Sequence, residues 1–206
     1  MTYKDIISTG GVATEFFGQQ PFYEWIVRDF LADGMSILEI GVFAGRSTAH
    51  LASKIKERGL KINFKALDHF MGSAEHKNWI GSEVSTNPNW LYDKCVANMI
   101  ACEVDKHVDI IRAESVEYST NVPDASLDFI FVDGSHDYAS VKHDLDVWFP
   151  KLKRGGIIGG DDYHTAWPGV MKAVDEKFPN KRLYTEPDIH ERWLPPSIWY
   201  VDTRES

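Results

Sequence analysis

The sequence predicts an α/β domain: a mostly parallel sheet with helices on both faces. Three observations lead there. Short runs read as continuously apolar strands, segments of helical period alternate with them, and the apolar runs stop abruptly at acidic residues. A strand covered on both faces needs no polar alternation, and parallel neighbours are joined by helical crossovers.

The elements follow in order. In "PFYEWIVRDFLADG", Phe22, Trp25, Ile26 and Phe30 fall at helical spacing, with Pro21 suited to a first turn and Gly34 to a stop. "SILEIG" is a buried strand. "RSTAHLASKIKERG" is a helix that turns Leu51, Ala52 and Ile55 inward and ends at Gly59. "INFKALD" is a second strand. Residues 71–89 are polar and turn-rich, with no clear period. A helix near Trp90–Cys102 aligns Leu91, Cys95, Asn98, Met99 and Cys102. "VDIIRA" and "LDFIFVD" are strands, a helix spans about Ser140 to Phe149, and "GGIIGG" is a fifth strand. Pro168 opens a helix carrying Met171, Val174 and Phe178. "RLYTE" and "SIWYVD" read as late strands able to pair as an antiparallel hairpin.

At 206 residues the chain suits one domain, 1–206, with 1–34 as an N-terminal helical or lid segment and 71–89 as a substrate loop. The net charge of −9 argues against nucleic acid and against membrane surfaces as partners. No apolar run approaches the ~20 residues of a membrane helix, and "MTYKDIISTGG" lacks a signal-peptide pattern. Cys95 and Cys102 lie two helical turns apart, too far for a disulfide. Without further ligands at finger spacing they make no zinc site. Buried reduced thiols and the cytoplasm are expected, and a homo-oligomer is left open.

The chemistry concentrates at strand ends, where ligands of parallel α/β sheets bind. Gly41 and Gly45 in "EIGVFAGRST" permit a tight strand-to-helix turn, and Ser47 or Thr48 can cap the helix. Phe43 stands where a dinucleotide fingerprint has its second glycine, which works against pyrophosphate contact. Glu39 offers a carboxylate to a cationic group, and Asp68, closing "ALD", can accept both hydroxyls of a ribose. Ribose plus amino group without phosphate describes S-adenosylmethionine. "FVDGSH" and "GGDDYH" end two more strands in Asp133 and in Asp161–Asp162, with His136 and His164 beside them. Like charges about 5 Å apart at an effective dielectric near 20 repel by roughly 3 kcal/mol per pair, so protons or a cation must relieve them. Oxygen-only ligands with open positions suit Mg²⁺ or another divalent cation. His136 is the preferred general base and His164 the second, since imidazole titrates near neutrality.

"LEIGVFAGRSTAHLA", "ALDHF", "IIRAES", "FIFVDGSHDY" and "LKRGGIIGGDDY" together resemble a class I S-adenosylmethionine-dependent methyltransferase. The likeness is to the small bacterial and phage-type branch related to macrocin-type sugar O-methyltransferases and cephalosporin-hydroxylase-like proteins. It implies a Rossmann-like methyltransferase fold: a seven-stranded, mostly parallel sheet with helices on both faces and an antiparallel last strand. It further implies that Glu39, Gly41 and Gly45, with the loop residues Phe43, Ser47 and Thr48, hold the methionine end, and Asp68 the ribose. Glu114 and Ser115 would border the adenine, where Ala113-Glu114 replaces the usual Gly-Asp. By matching position Asp133, Asp161 and Asp162 would hold the cation, so that Asp133 serves cofactor, metal and catalysis together. The implied reaction is metal-assisted methylation of a hydroxyl on a small-molecule acceptor, a sugar or natural product. Trp79, Trp90, Trp167 and Trp193 would offer that acceptor flat surfaces. The rivals are a metal-dependent hydrolase or oxygenase using the same aspartates, and a non-catalytic S-adenosylmethionine-binding protein.

Overall fold

Seven strands form one sheet in the computed structural model, which describes residues 1–6, 18–72, 77–185 and 197–205. The chain enters through α1 (Gln20–Trp25), which continues as a π-helical turn over Ile26–Phe30. β1 (Ser36–Ile40), α2 (Arg46–Glu57) and β2 (Asn63–Asp68) follow, then α3 (Lys77–Thr86), α4 (Trp90–Ala101) and β3 (Asp109–Arg112). Next come α5 (Ser115–Tyr118), β4 (Leu127–Val132), α6 (Tyr138–Trp148) and β5 (Leu152–Gly160). The chain closes with α7 (Pro168–Lys177), β6 (Arg182–Leu183) and β7 (Trp199–Asp202). The strand order is β3-β2-β1-β4-β5-β7-β6.

β1 to β5 run parallel, and β7 lies antiparallel between β5 and β6. The late strands pair as expected, with β7 also sealing the open edge of β5. The sheet splits the core in two. Ile37, Phe64, Phe129 and Phe131 face a cluster with Phe22, Tyr23 and Ile26 of the entry helix and Leu51, Ala52 and Ile55 of α2. Leu38, Ile40, Ile130 and Val132, their sequence neighbours, face Leu145 and Trp148 of α6 and Val174 of α7. Alternate residues of each strand thus meet opposite apolar layers, which is why the strands read as unbroken hydrophobic runs.

Residues 71–89 differ from a simple loop, because α3 occupies 77–86. Its inward anchors are Ile80 and Val84, one turn apart and separated by polar residues, too sparse a stripe to stand out in sequence. Cys95 is buried and Cys102 half-buried, both as free thiols. No described helix is long and apolar enough to cross a membrane.

The order of the sheet reverses between β1 and β4. β1 leads away to β2 and β3 on one side, and β4 leads to β5 on the other. The carboxyl ends of these strands open onto a common rim where ligands of such sheets collect.

Candidate active site at the carboxyl rim of the sheet

The loop after β1 is fixed from three sides. Gly41 has φ +89°, and a Cβ there would lie 1.8 Å from the carbonyl oxygen of Asp133. Only glycine lets β1 and β4 finish this close together. Asp68, at the tip of β2, accepts the Val42 and Phe43 N–H groups on Oδ2, both at 2.8 Å, and the Phe70 N–H on Oδ1 at 2.6 Å. Asn98 of α4 donates to the Ala44 carbonyl at 2.9 Å. Gly45, at φ +84°, lies where a Cβ would meet Met99 Cε at 2.5 Å, so the loop seats directly on α4.

This arrangement revises several assignments. Asp68 stands where a ribose acceptor is expected, but its carboxylate already holds the loop. Of roughly four acceptor sites on a carboxylate, three are taken, and Oδ1 keeps the capacity for a further donor. Glu39 is fully buried. Tyr23 donates to Oε1 at 2.8 Å and Thr48 to Oε2 at 2.5 Å, so this carboxyl faces protein beneath the loop rather than a cationic ligand. Its burial pushes its pKa up, opposed by Thr48, Ser47 and Tyr23. Thr48 and Ser47 therefore do not cap α2, whose N-cap is Gly45 in the left-handed conformation.

Ser115 also takes a structural partner. It donates to Asp144 Oδ1 at 2.5 Å and accepts from Trp148 Nε1 at 2.8 Å, pinning α5 against α6. Glu114 is exposed beside it. Asp144 is 6% exposed, and burial raises its pKa to about 6. The sequence carries a signal for it: Asp144 shares the helical face of Val141, Leu145 and Trp148, where an acid must find a donor.

The acidic tips of β4 and β5 do converge. Val132 pairs with Gly160 in the parallel register, so Asp133 and Asp161 leave adjacent strands side by side. The chain then turns through Asp162 at φ 61°. His136 Nε2 lies 2.7 Å from Asp162 Oδ2, and His164 Nε2 lies 3.6 Å from Asp162 Oδ1. The Trp167 ring packs 4.2 Å from the His136 ring. Gln19, just ahead of α1, donates to Asp133 Oδ2 at 2.9 Å.

The expected metal trio changes by one member. Among the described residues, Asp133, His136 and Asp162 bring potential ligand atoms within 4.8 Å of one another. Asp161 stands aside from that group. Its Oδ1 accepts from the Ser197 hydroxyl and from the Asp162 N–H at 2.7 Å, so it braces the turn. Burial, followed by the charges of Asp161, Asp162 and Glu39, holds the Asp133 carboxyl well above the usual carboxylate range. Burial and the Asp162 charge raise Asp161 as well. Repulsion among these buried acids is what a hard cation at the cluster would relieve.

Gln19, Asn98 and Ser197 were not legible as site residues, because each acts on a residue distant in the chain. Of the four tryptophans proposed to line the acceptor pocket, Trp167 stands at the acidic rim. Trp90 packs on the buried cluster of the α1/α2 face, with Lys94 over its ring. Trp193 and the side chain of Trp79 lie outside the described residues, as do 7–17 and 186–196.

Residues 38–163, more than half of the chain, match the family described as "Methyltransferase domain". The chain belongs to that family. This methyltransferase domain has the class I fold of S-adenosylmethionine-dependent enzymes, with the reversed last strand. Solved structures share the architecture at low identity. The O-methyltransferase NovP superposes with TM-score 0.65 at 20% identity, covering 89% of this chain and 78% of that one. CalS11, a TDP-rhamnose 3'-O-methyltransferase of calicheamicin biosynthesis, gives 0.57 at 18%, covering 89% and 76%. An S-adenosylmethionine-dependent O-methyltransferase of Thermotoga maritima gives 0.58 at 15%, covering 88% and 63%.

Sequence relatives of the domain include two uncharacterized proteins, y4gI of Sinorhizobium fredii and R132 of Acanthamoeba polyphaga mimivirus. Each is 26% identical, over 67% and 74% of this chain respectively. The chain spans 14% of the length of the first relative and 63% of the second.

Proposed function

We propose that this chain transfers a methyl group from S-adenosylmethionine to a hydroxyl of a small molecule, a sugar or natural product, with a divalent cation at Asp133 and Asp162. The observation that carries the proposal is the convergence of Asp133, His136 and Asp162 at the tips of β4 and β5, beside the glycine loop of β1. The naming of NovP and CalS11 as O-methyltransferases supports the choice of oxygen as acceptor.

The donor set fits a hard cation. Two carboxylates suit Mg²⁺ or Mn²⁺, with positions left for water or substrate. When bound, such an ion supplies positive charge that favours the ionised form of an adjacent hydroxyl. The chain's own residues do the rest. Asp68 holds the β1 loop in the shape that receives the methyl donor, and Gln19 holds Asp133. Transfer forms an O–C bond as the C–S bond breaks, leaving its electron pair on sulfur, and the acceptor's proton must leave. His136 Nε2 contacts Asp162 in the structure described, so it serves as proton acceptor only when that contact opens. Trp167 limits the ring's movement meanwhile. Much of the acceleration comes from aligning oxygen, carbon and sulfur.

Calorimetry with S-adenosylmethionine, repeated with Mg²⁺ and with EDTA, tests the first half. Detection of S-adenosylhomocysteine after incubation with a panel of sugars and phenols tests the second. Cofactor binding with transfer that EDTA abolishes is expected. Transfer unaffected by EDTA removes the cation, and failure to bind S-adenosylmethionine removes the function.

A further inference from the structure

Gln19 is a side chain whose placement the fold alone does not explain. It is 6% exposed, at the start of α1. Nε2 is accounted for by Asp133 Oδ2 at 2.9 Å. Oε1 is buried and accepts no hydrogen bond from any described residue. Native interiors leave few buried acceptors unsatisfied, because each has lost water without replacement.

Exchanging the two ends of the amide makes matters worse. Oxygen would then face Asp133 Oδ2 in place of the Nε2 that lies 2.9 Å from it. A hydrocarbon side chain would satisfy this position better unless something beyond the described residues brings a hydrogen to Oε1.

We propose that Gln19 is a positioning residue of the transfer site. Its Nε2 fixes the Asp133 carboxylate, and its Oε1 accepts a hydrogen from an N–H or O–H group of the ligand held in the cleft. This rests on the methyltransferase reading above. The donor comes either from the α-ammonium of the methyl donor's amino-acid part or from a water or hydroxyl at the acidic trio.

The test uses the full chain, wild type and Gln19→Leu, with Gln19→Met as a second variant closer to glutamine in length. S-adenosylhomocysteine, its analogue lacking the α-amino group, and MnCl₂ are each titrated by calorimetry, and melting is recorded without ligand. Loss of the donor to Asp133 is offset by removal of the orphan acceptor, so melting stays within about 3 °C of wild type. One affinity falls about 10-fold, the worth of a hydrogen bond to a charged or polarised donor. If the partner is the ammonium, S-adenosylhomocysteine binding falls while the deaminated analogue binds wild type and variant alike. If it is a water or hydroxyl at the trio, Mn²⁺ binding falls and S-adenosylhomocysteine does not. Unchanged affinities, or losses that track a melting temperature lowered by many degrees, overturn this inference alone. A wild-type chain that binds neither S-adenosylhomocysteine nor Mn²⁺ overturns the underlying reading, and this inference with it.

Discussion

Asp144→Asn isolates one buried acid from the rest of the site. The wild-type carboxyl is 6% exposed, and its pKa rises from an ordinary 3.8 to about 6, with burial the main cause and the Ser115 hydroxyl opposing it. A raised carboxyl pKa means the folded protein holds this proton more tightly than the unfolded chain does. Its penalty is absent below pH 4, grows as pH rises to about 6, and is complete above that. The interval corresponds to about 3 kcal/mol. Asparagine keeps an oxygen for the Ser115 hydroxyl and has no charge to bury. The variant should match wild type near pH 4 and exceed it by up to about 3 kcal/mol at pH 8, roughly 6–12 °C in melting temperature for a chain this size. Urea unfolding of both proteins at intervals from pH 4 to 8 measures the difference directly. A constant difference across that range, or a variant weaker than wild type at pH 8, would refute the argument that Asp144 is held against its charge.

Asp162→Asn should lower Mn²⁺ affinity by at least ~10-fold, while Asp161→Asn, whose oxygen serves Ser197 and the turn, should stay within about threefold. Calorimetry with Mn²⁺ separates them, and equal losses would return Asp161 to the ligand set. Asp68→Ala takes the shared acceptor from the Val42, Phe43 and Phe70 N–H groups, so S-adenosylhomocysteine binding should fall while Mn²⁺ binding holds. Each N–H left without a partner adds about 1–3 kcal/mol of lost stability, read by thermal melting. Gly41→Ala drives a methyl group into the Asp133 carbonyl at a left-handed φ. It should lower stability by more than about 4 kcal/mol, seen as a melting drop above 10 °C or loss of soluble protein.

The alternation of apolar runs and helical periods was legible because it is written in neighbouring residues. Leu51, Ala52 and Ile55 turned inward on α2 as their spacing required, and Gly59, at φ +66°, follows its end, whereas the entry helix stops before Gly34, at Phe30, where Leu31 turns extended. α3 escaped notice because two buried residues one turn apart do not make a period. The acidic tips were visible as residues at the ends of strands. What each acid does there was not, since a carboxylate's role depends on which donors reach it first.

Glu39, Asp68, Asp133, Asp161 and Asp162 look alike in the chain. By itself the sequence determined that acids and a glycine turn would gather at one rim, because parallel strands all end on the same side. Only the tertiary structure decided which carboxyls were spent on Tyr23, Thr48, Ser197 and the loop amides, and which stayed open toward His136. Those partners lie as many as 36 residues away, as Ser197 does from Asp161. They meet through strand order and register, and no local pattern encodes that distance.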